Sequence, residues 1–137
     1  MGMRLAIVRK YNKDIKEYKK KKGAKELSNG IYYRVIKSGD KKGTSPGPTS
    51  QVQVHYRGTH IDGREFDSSY KHGQPVTFPL NGVIRGWTIS LQKMKPGDKW
   101  EVVIPSDLAY GLQGGPQGST IDPNETLVFE VELLKVM

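Results

Sequence analysis

The 137-residue chain has room for one domain with a hydrophobic core plus a short extension, and its 35% hydrophobic content suits folded material. Without cysteine it can form no disulfide, and no apolar run approaches the ~20 residues that cross a bilayer. The net charge of +8 invites a nucleic-acid reading, but residues 1–48 hold 14 Lys and Arg against 4 Asp and Glu (+10), while residues 49–137 hold 8 against 10 (−2), so the larger part would repel phosphate.

From Leu5 to Lys22 nothing breaks a helix, and Val8, Tyr11, Ile15 and Tyr18 recur at three, four and three, an a/d seam among Lys and Asp. Two heptads do not hold together alone in water, so this helix docks on the domain, pairs with a second chain or frays. Gly23 follows its lysine-rich end. Residues 1–27 are thus expected to form a basic helical arm, and residues 28–137 a domain. Ile31 to Ile36 is expected to be a strand, and Ser38 to Thr49 a loop. Gln51 to Tyr56 alternates, with Val52, Val54 and Tyr56 on one face. Asp62-Gly63 marks a hairpin turn, followed by short strands around Phe66 and from Val76 to Leu80. A helix is expected from about Val83, with Ile84, Trp87 and Leu91 on one apolar face. Past the turn at Pro96-Gly97-Asp98, Trp100, Val102 and Ile104 alternate as a strand. Leu112 to Asn124, rich in Gly and Pro, is a long loop, and Thr126 to Val136 a last strand. The sum is α+β: an antiparallel sheet packed on one short helix.

Tyr56, Phe66, Trp87, Tyr110 and Phe129 lie far apart in this pattern, on strands, on the helix or just beyond them. A fold that gathers them makes an apolar cup with a few polar tips. Such a cup suits a proline ring and its amide, not a charged substrate or a metal.

The motifs VHYRG, FDSS, VIRGW, AYG and TLVFEVELL, in this order, resemble those of the FKBP-type peptidyl-prolyl cis/trans isomerases. The likeness covers about Ser28 to Met137, and the arm is similar to that of macrophage-infectivity-potentiator-like members from bacteria. The resemblance implies a strongly twisted sheet wrapped around the helix, and catalysis of X–Pro rotation in folding proteins. It implies that Tyr56 is a wall bonded through its hydroxyl to Asp67, that Phe66 is a second wall, and that Trp87 is the floor with Val83 and Ile84 beside it. The Ile84 N–H and the Tyr110 hydroxyl would bind ligand carbonyls, Phe129 would close the back, and Ile121 would stand at the rim. Val76 would line the cup where many members carry an aromatic, and His72 lies near the usual place of a basic partner for the aspartate.

The implied partners are proline-containing peptides, unfolded clients, macrolides such as tacrolimus and rapamycin, and a second copy of the chain through the arm. No cofactor, metal, nucleic acid or membrane span is expected. The family resemblance favours the periplasm or cell envelope over the cytoplasm, although the apolar run Leu5 to Val8 is shorter than the ~7–15 residues of a signal-peptide core. Trp100, which no motif claims, is expected to be packing. A binding module of the same fold without catalysis is the competing function.

Overall fold

The computed structural model describes residues 23–28, 30–39, 42–111, 114–115, 120–121 and 125–137. Seven strands form one antiparallel sheet: β1 (Lys25–Ser28), β2 (Ile31–Lys37), β3 (Gln51–His60), β4 (Glu65–Ser68), β5 (Val76–Pro79), β6 (Lys99–Ile104) and β7 (Leu127–Val136). Helix α1 (Arg85–Leu91) lies between β5 and β6 in sequence. The expected α+β class is therefore found. The arm helix expected over residues 5–22 lies outside the described residues. The sheet begins at Lys25, so β1 straddles the boundary expected between 27 and 28; its polar sequence KELS carries no apolar alternation that would have announced it. Among the described residues no helix is long and apolar enough to cross a membrane.

Strand order is β1-β2-β6-β7-β3-β4, with β5 also on β3. The alternation of β7 sends Leu127, Phe129, Val131 and Leu133 inward, and that of β3 does the same for Val52 and Val54. Each aliphatic side chain so buried contributes about 1.5–3 kcal/mol. With Ile31, Leu80, Leu91, Met94, Val102 and Ile104 they make the core. On the opposite face Tyr32 and Val103 form a smaller cluster with Ala24, Ile61 and Val128.

The edge of β3 away from β7 is divided. Gln51 to Val54 pair with β5, and Arg57 to Thr59 pair with β4. Ser69 bridges the interval: its N–H donates to the Tyr56 carbonyl at 3.0 Å, and its Oγ accepts the Tyr56 N–H at 2.8 Å. Tyr56 thus keeps strand geometry where no strand adjoins it on that side. β3 runs four residues past the expected Tyr56, to His60, and the positive-φ turn at Gly63 follows it.

Helix α1 starts two residues later than expected, because Val83 and Ile84 are extended (ψ 174° and 146°). Its sequence RGWTISL contains Gly, Thr, Ile and Ser, all weak helix formers, so packing rather than propensity holds it. Gly86 makes that packing close. A Cβ there would meet Ile104 Cγ2 of β6 at 2.5 Å, so only glycine lets the helix seat at this depth. Thr88 Oγ1 donates to the Leu80 carbonyl at 2.6 Å, fixing the turn Leu80–Gly82 against the helix.

Candidate active site

A cavity of about 520 Å³ opens between α1 and the inner face of β3, β4, β5 and β7. That volume is in the range of small-molecule sites. Its lining residues are Tyr56, Phe66, Asp67, Val76, Phe78, Gly82, Val83, Ile84, Trp87, Tyr110 and Phe129. Nine of the ten expected residues are among these eleven. Ile121 is the exception. It is buried in the core and is not among the described residues of the lining; its carbonyl accepts the Gly115 N–H at 3.1 Å, and its apolar side chain gains more from the core than from a rim. Trp100 also lies off the cavity, stacked on Tyr33 at 4.4 Å, as expected of a packing residue.

Trp87 is 6% exposed and stands at the centre of the rings. Tyr56 meets it edge-on at 5.1 Å and 78°, and Phe129 at 5.3 Å and 90°. Phe66 in turn meets Phe129 at 5.6 Å and 86°. Such edge-to-face pairs are favoured by the ring quadrupole and hold each ring at a defined angle. Gly58, between Tyr56 and His60 on β3, makes room for them: a Cβ there would lie 2.7 Å from Phe66 Cζ and 2.9 Å from Phe129 Cε1. The Trp87 Nε1 is buried without a partner among the described residues, so ring contacts alone orient the indole.

Two lining residues were not anticipated. Phe78 packs on Trp87 at 5.3 Å and 50°, and Gly82 lies in the turn before α1. Phe78 was within reach of the sequence, since the strand period of two places it on the same face as Val76.

The polar atoms are few and fixed. The Tyr56 hydroxyl donates to Asp67 Oδ2 at 2.6 Å, as expected, and Oδ1 accepts the Ser68 N–H at 2.8 Å. Burial, and then the hydrogen bond and charge of Asp67, push the Tyr56 phenol well above its ordinary value. Burial first and Asp67 second raise that of Tyr110. Both phenols therefore remain O–H donors at neutral pH and beyond. The Tyr110 hydroxyl and the Ile84 N–H have no hydrogen-bond partner among the described residues. The Ile84 carbonyl, by contrast, accepts from the Trp87 and Thr88 N–H groups. No group of three His, Cys, Asp or Glu able to hold a metal occurs among the described residues. The lining thus combines an apolar surface around Trp87 with two hydrogen-bond donors, and among its described residues it holds no Ser, Thr, Cys or Lys.

The family model described as FKBP-type peptidyl-prolyl cis-trans isomerase matches residues 42–134, which span most of the sheet and all the lining residues of the cavity. The chain belongs to this family. It is 51% identical over 118 residues to the peptidyl-prolyl cis-trans isomerase Mip of Coxiella burnetii, covering 86% of this chain and 50% of that protein. The crystal structure of a peptidyl-prolyl cis-trans isomerase from Pseudomonas syringae superposes with TM-score 0.87 at 43% identity, covering 96% of this chain and 93% of that one. The structure of FkpA from Escherichia coli gives the same TM-score at 46% identity, with 96% and 60% covered. The chain spans about half the length of the curated relatives it matches.

Proposed function

We propose that this domain accelerates cis/trans rotation of X–Pro bonds in folding proteins by non-covalent stabilisation of the twisted amide. The observation that carries this reading is the apolar cup around Trp87, whose lining residues Ile84 and Tyr110 bring an N–H and an O–H without a hydrogen-bond partner among the described residues.

Rotation about an X–Pro bond passes through a state in which amide resonance is lost, at a barrier of ~18–20 kcal/mol. Unaided exchange takes tens of seconds or more. Reaching milliseconds needs a factor of roughly 10⁴–10⁵, or about 5.5–7 kcal/mol. The planar amide carries more charge separation than the twisted one, so a dry apolar cavity disfavours the ground state relative to the transition state. Tyr56, Phe66, Trp87 and Phe129 supply that environment. The Ile84 N–H and the Tyr110 hydroxyl hold the flanking carbonyls so that the peptide enters already turned. Asp67 keeps Tyr56 in place. No proton changes hands.

The same cavity is proposed to bind macrolides such as tacrolimus and rapamycin, whose pipecolyl ring would lie over Trp87. Unfolded clients as substrates, an envelope location and pairing of two chains through the arm of residues 1–27 belong to the same proposal and rest on the family resemblance. The deciding experiment is a proline-limited refolding assay with catalytic amounts of the protein. The slow phase should accelerate, and rapamycin should abolish the effect. Binding of the drug with an unchanged slow phase would leave a binding module in place of an enzyme.

A further inference from the structure

His60 and Glu125 are buried, 4% exposed each, and lie 65 positions apart in sequence; the other buried polar side chains among the described residues are hydroxyls of Ser, Thr and Tyr. Neither lines the cavity. His60 Nδ1 contacts Glu125 Oε2, and Nε2 lies 2.8 Å from Thr120 Oγ1. Both ring nitrogens are thus engaged. With the carboxylate accepting from Nδ1–H, Nε2 can accept from the threonine hydroxyl, or donate to it should the ring carry a second proton. A ring held at both nitrogens cannot swivel.

The edge of this fixed ring meets Phe66 at 5.5 Å and 65°. Phe66 is a cavity wall and leans on Phe129, which leans on Trp87. His60 is therefore the outer end of a row of edge-to-face rings whose inner end is the cavity floor. A buried carboxylate beside a histidine is costly to keep unless both are satisfied, and nothing in the fold of β3 or β7 requires polar groups there. Leucine at position 60 would serve packing alone.

We propose that the His60–Glu125–Thr120 cluster is a positioning clasp for the Phe66 wall of the isomerase site, an inference that rests on the function proposed above. It acts through Phe66 and touches no substrate. The test exploits a convenience of composition: the chain has three phenylalanines, Phe66, Phe78 and Phe129, all lining the cavity. With ¹³C-labelled phenylalanine the ring signals resolve the wall directly, whatever the activity.

His60→Leu and Glu125→Leu are expected to shift the Phe66 ring signal, leave that of Phe78 in place, and lower kcat/KM on an X–Pro tetrapeptide about tenfold, below the ~10²-fold of a full 1 Å misplacement. Glu125→Gln, which keeps an acceptor for Nδ1–H, should stay within about twofold of the parent. Tyr33→Leu, at the Trp100 stack away from the cavity, is the comparison at matched loss of Tm and should keep its kcat/KM. Thr120→Val removes only the exposed partner, should give a smaller change of the same sign, and replaces His60→Leu if that variant does not fold. A Phe66 signal unmoved in the folded variants, or a kcat/KM loss no greater than that of Tyr33→Leu, overturns the clasp. If the parent protein shows no isomerase activity, the proposed function fails, and the Phe66 signal alone decides the clasp.

Discussion

Replacing Gly58 by alanine sets two effects against each other. In a strand interior, glycine to alanine generally stabilises by roughly 0.5–1 kcal/mol, because the unfolded chain loses freedom. Here the new methyl would lie 2.7 Å from Phe66 Cζ and 2.9 Å from Phe129 Cε1. Carbon atoms rest at about 3.5–4.0 Å, so roughly 1 Å of clearance is missing. Phe129 is 4% exposed and braced against Trp87, whereas Phe66 borders open space, so the displacement falls on Phe66. Overpacking of this kind costs about 1–3 kcal/mol, which outweighs the entropic gain. The net loss of about 1–2 kcal/mol corresponds to a fall in Tm of roughly 5–10 °C for a domain of this size. Activity should suffer more, since 1 Å of misplacement at a site costs up to ~10²-fold. Thermal melting and a tetrapeptide isomerisation assay read both quantities. A Gly58→Ala protein with raised Tm and parental kcat/KM would refute the packing of the two rings around this glycine.

Asp67→Ala and Tyr110→Phe should each lower kcat/KM several-fold without unfolding the domain, as circular dichroism would verify. Full activity in the folded double variant would refute their roles. Trp87→Ala should remove both activity and drug binding and cost about 3–5 kcal/mol in denaturant titration, because it empties the centre of the ring cluster. The raised Tyr56 phenol predicts a pH effect on stability. The folded state keeps this proton above the ordinary phenol value of 10.0 while the unfolded state releases it, so the contribution is complete below that pH and lost as pH rises past it. Denaturant titrations between pH 8 and 11 should show a steeper decline for the parent than for Tyr56→Phe.

The sequence carried most of this site because its rings sit in short, patterned segments. Tyr56 followed from the alternation of Val52 and Val54, and Trp87 from its spacing to Leu91. What escaped it depended on partners remote in the chain. The inward position at the end of β3 is filled by His60, whose polarity breaks the apolar rhythm and makes sense only with Glu125 opposite. β1 has no rhythm to read, because an edge strand pairs through its backbone and leaves its side chains free to be polar. Ile121 could not be placed, since an aliphatic residue in a Gly- and Pro-rich loop serves a rim or a core equally well by composition. The helix start shifted because Val83 and Ile84 look helical by hydrophobicity, yet their extended backbone is what turns the Ile84 N–H out of the ladder.

β7, the last in chain order of the seven described strands, runs between β6 and β3 in the middle of the sheet. Every earlier strand can be synthesised and still have no floor to close upon, since β3 and β6 touch only through it. Nascent chains must therefore wait, with Val52, Val54 and Val102 uncovered, until residues 127–136 emerge. A protein proposed to help others past a slow folding step would thus itself be a late folder during its own translation, and a ribosome stalled before Leu127 would display strands β1 to β6 open to proteolysis.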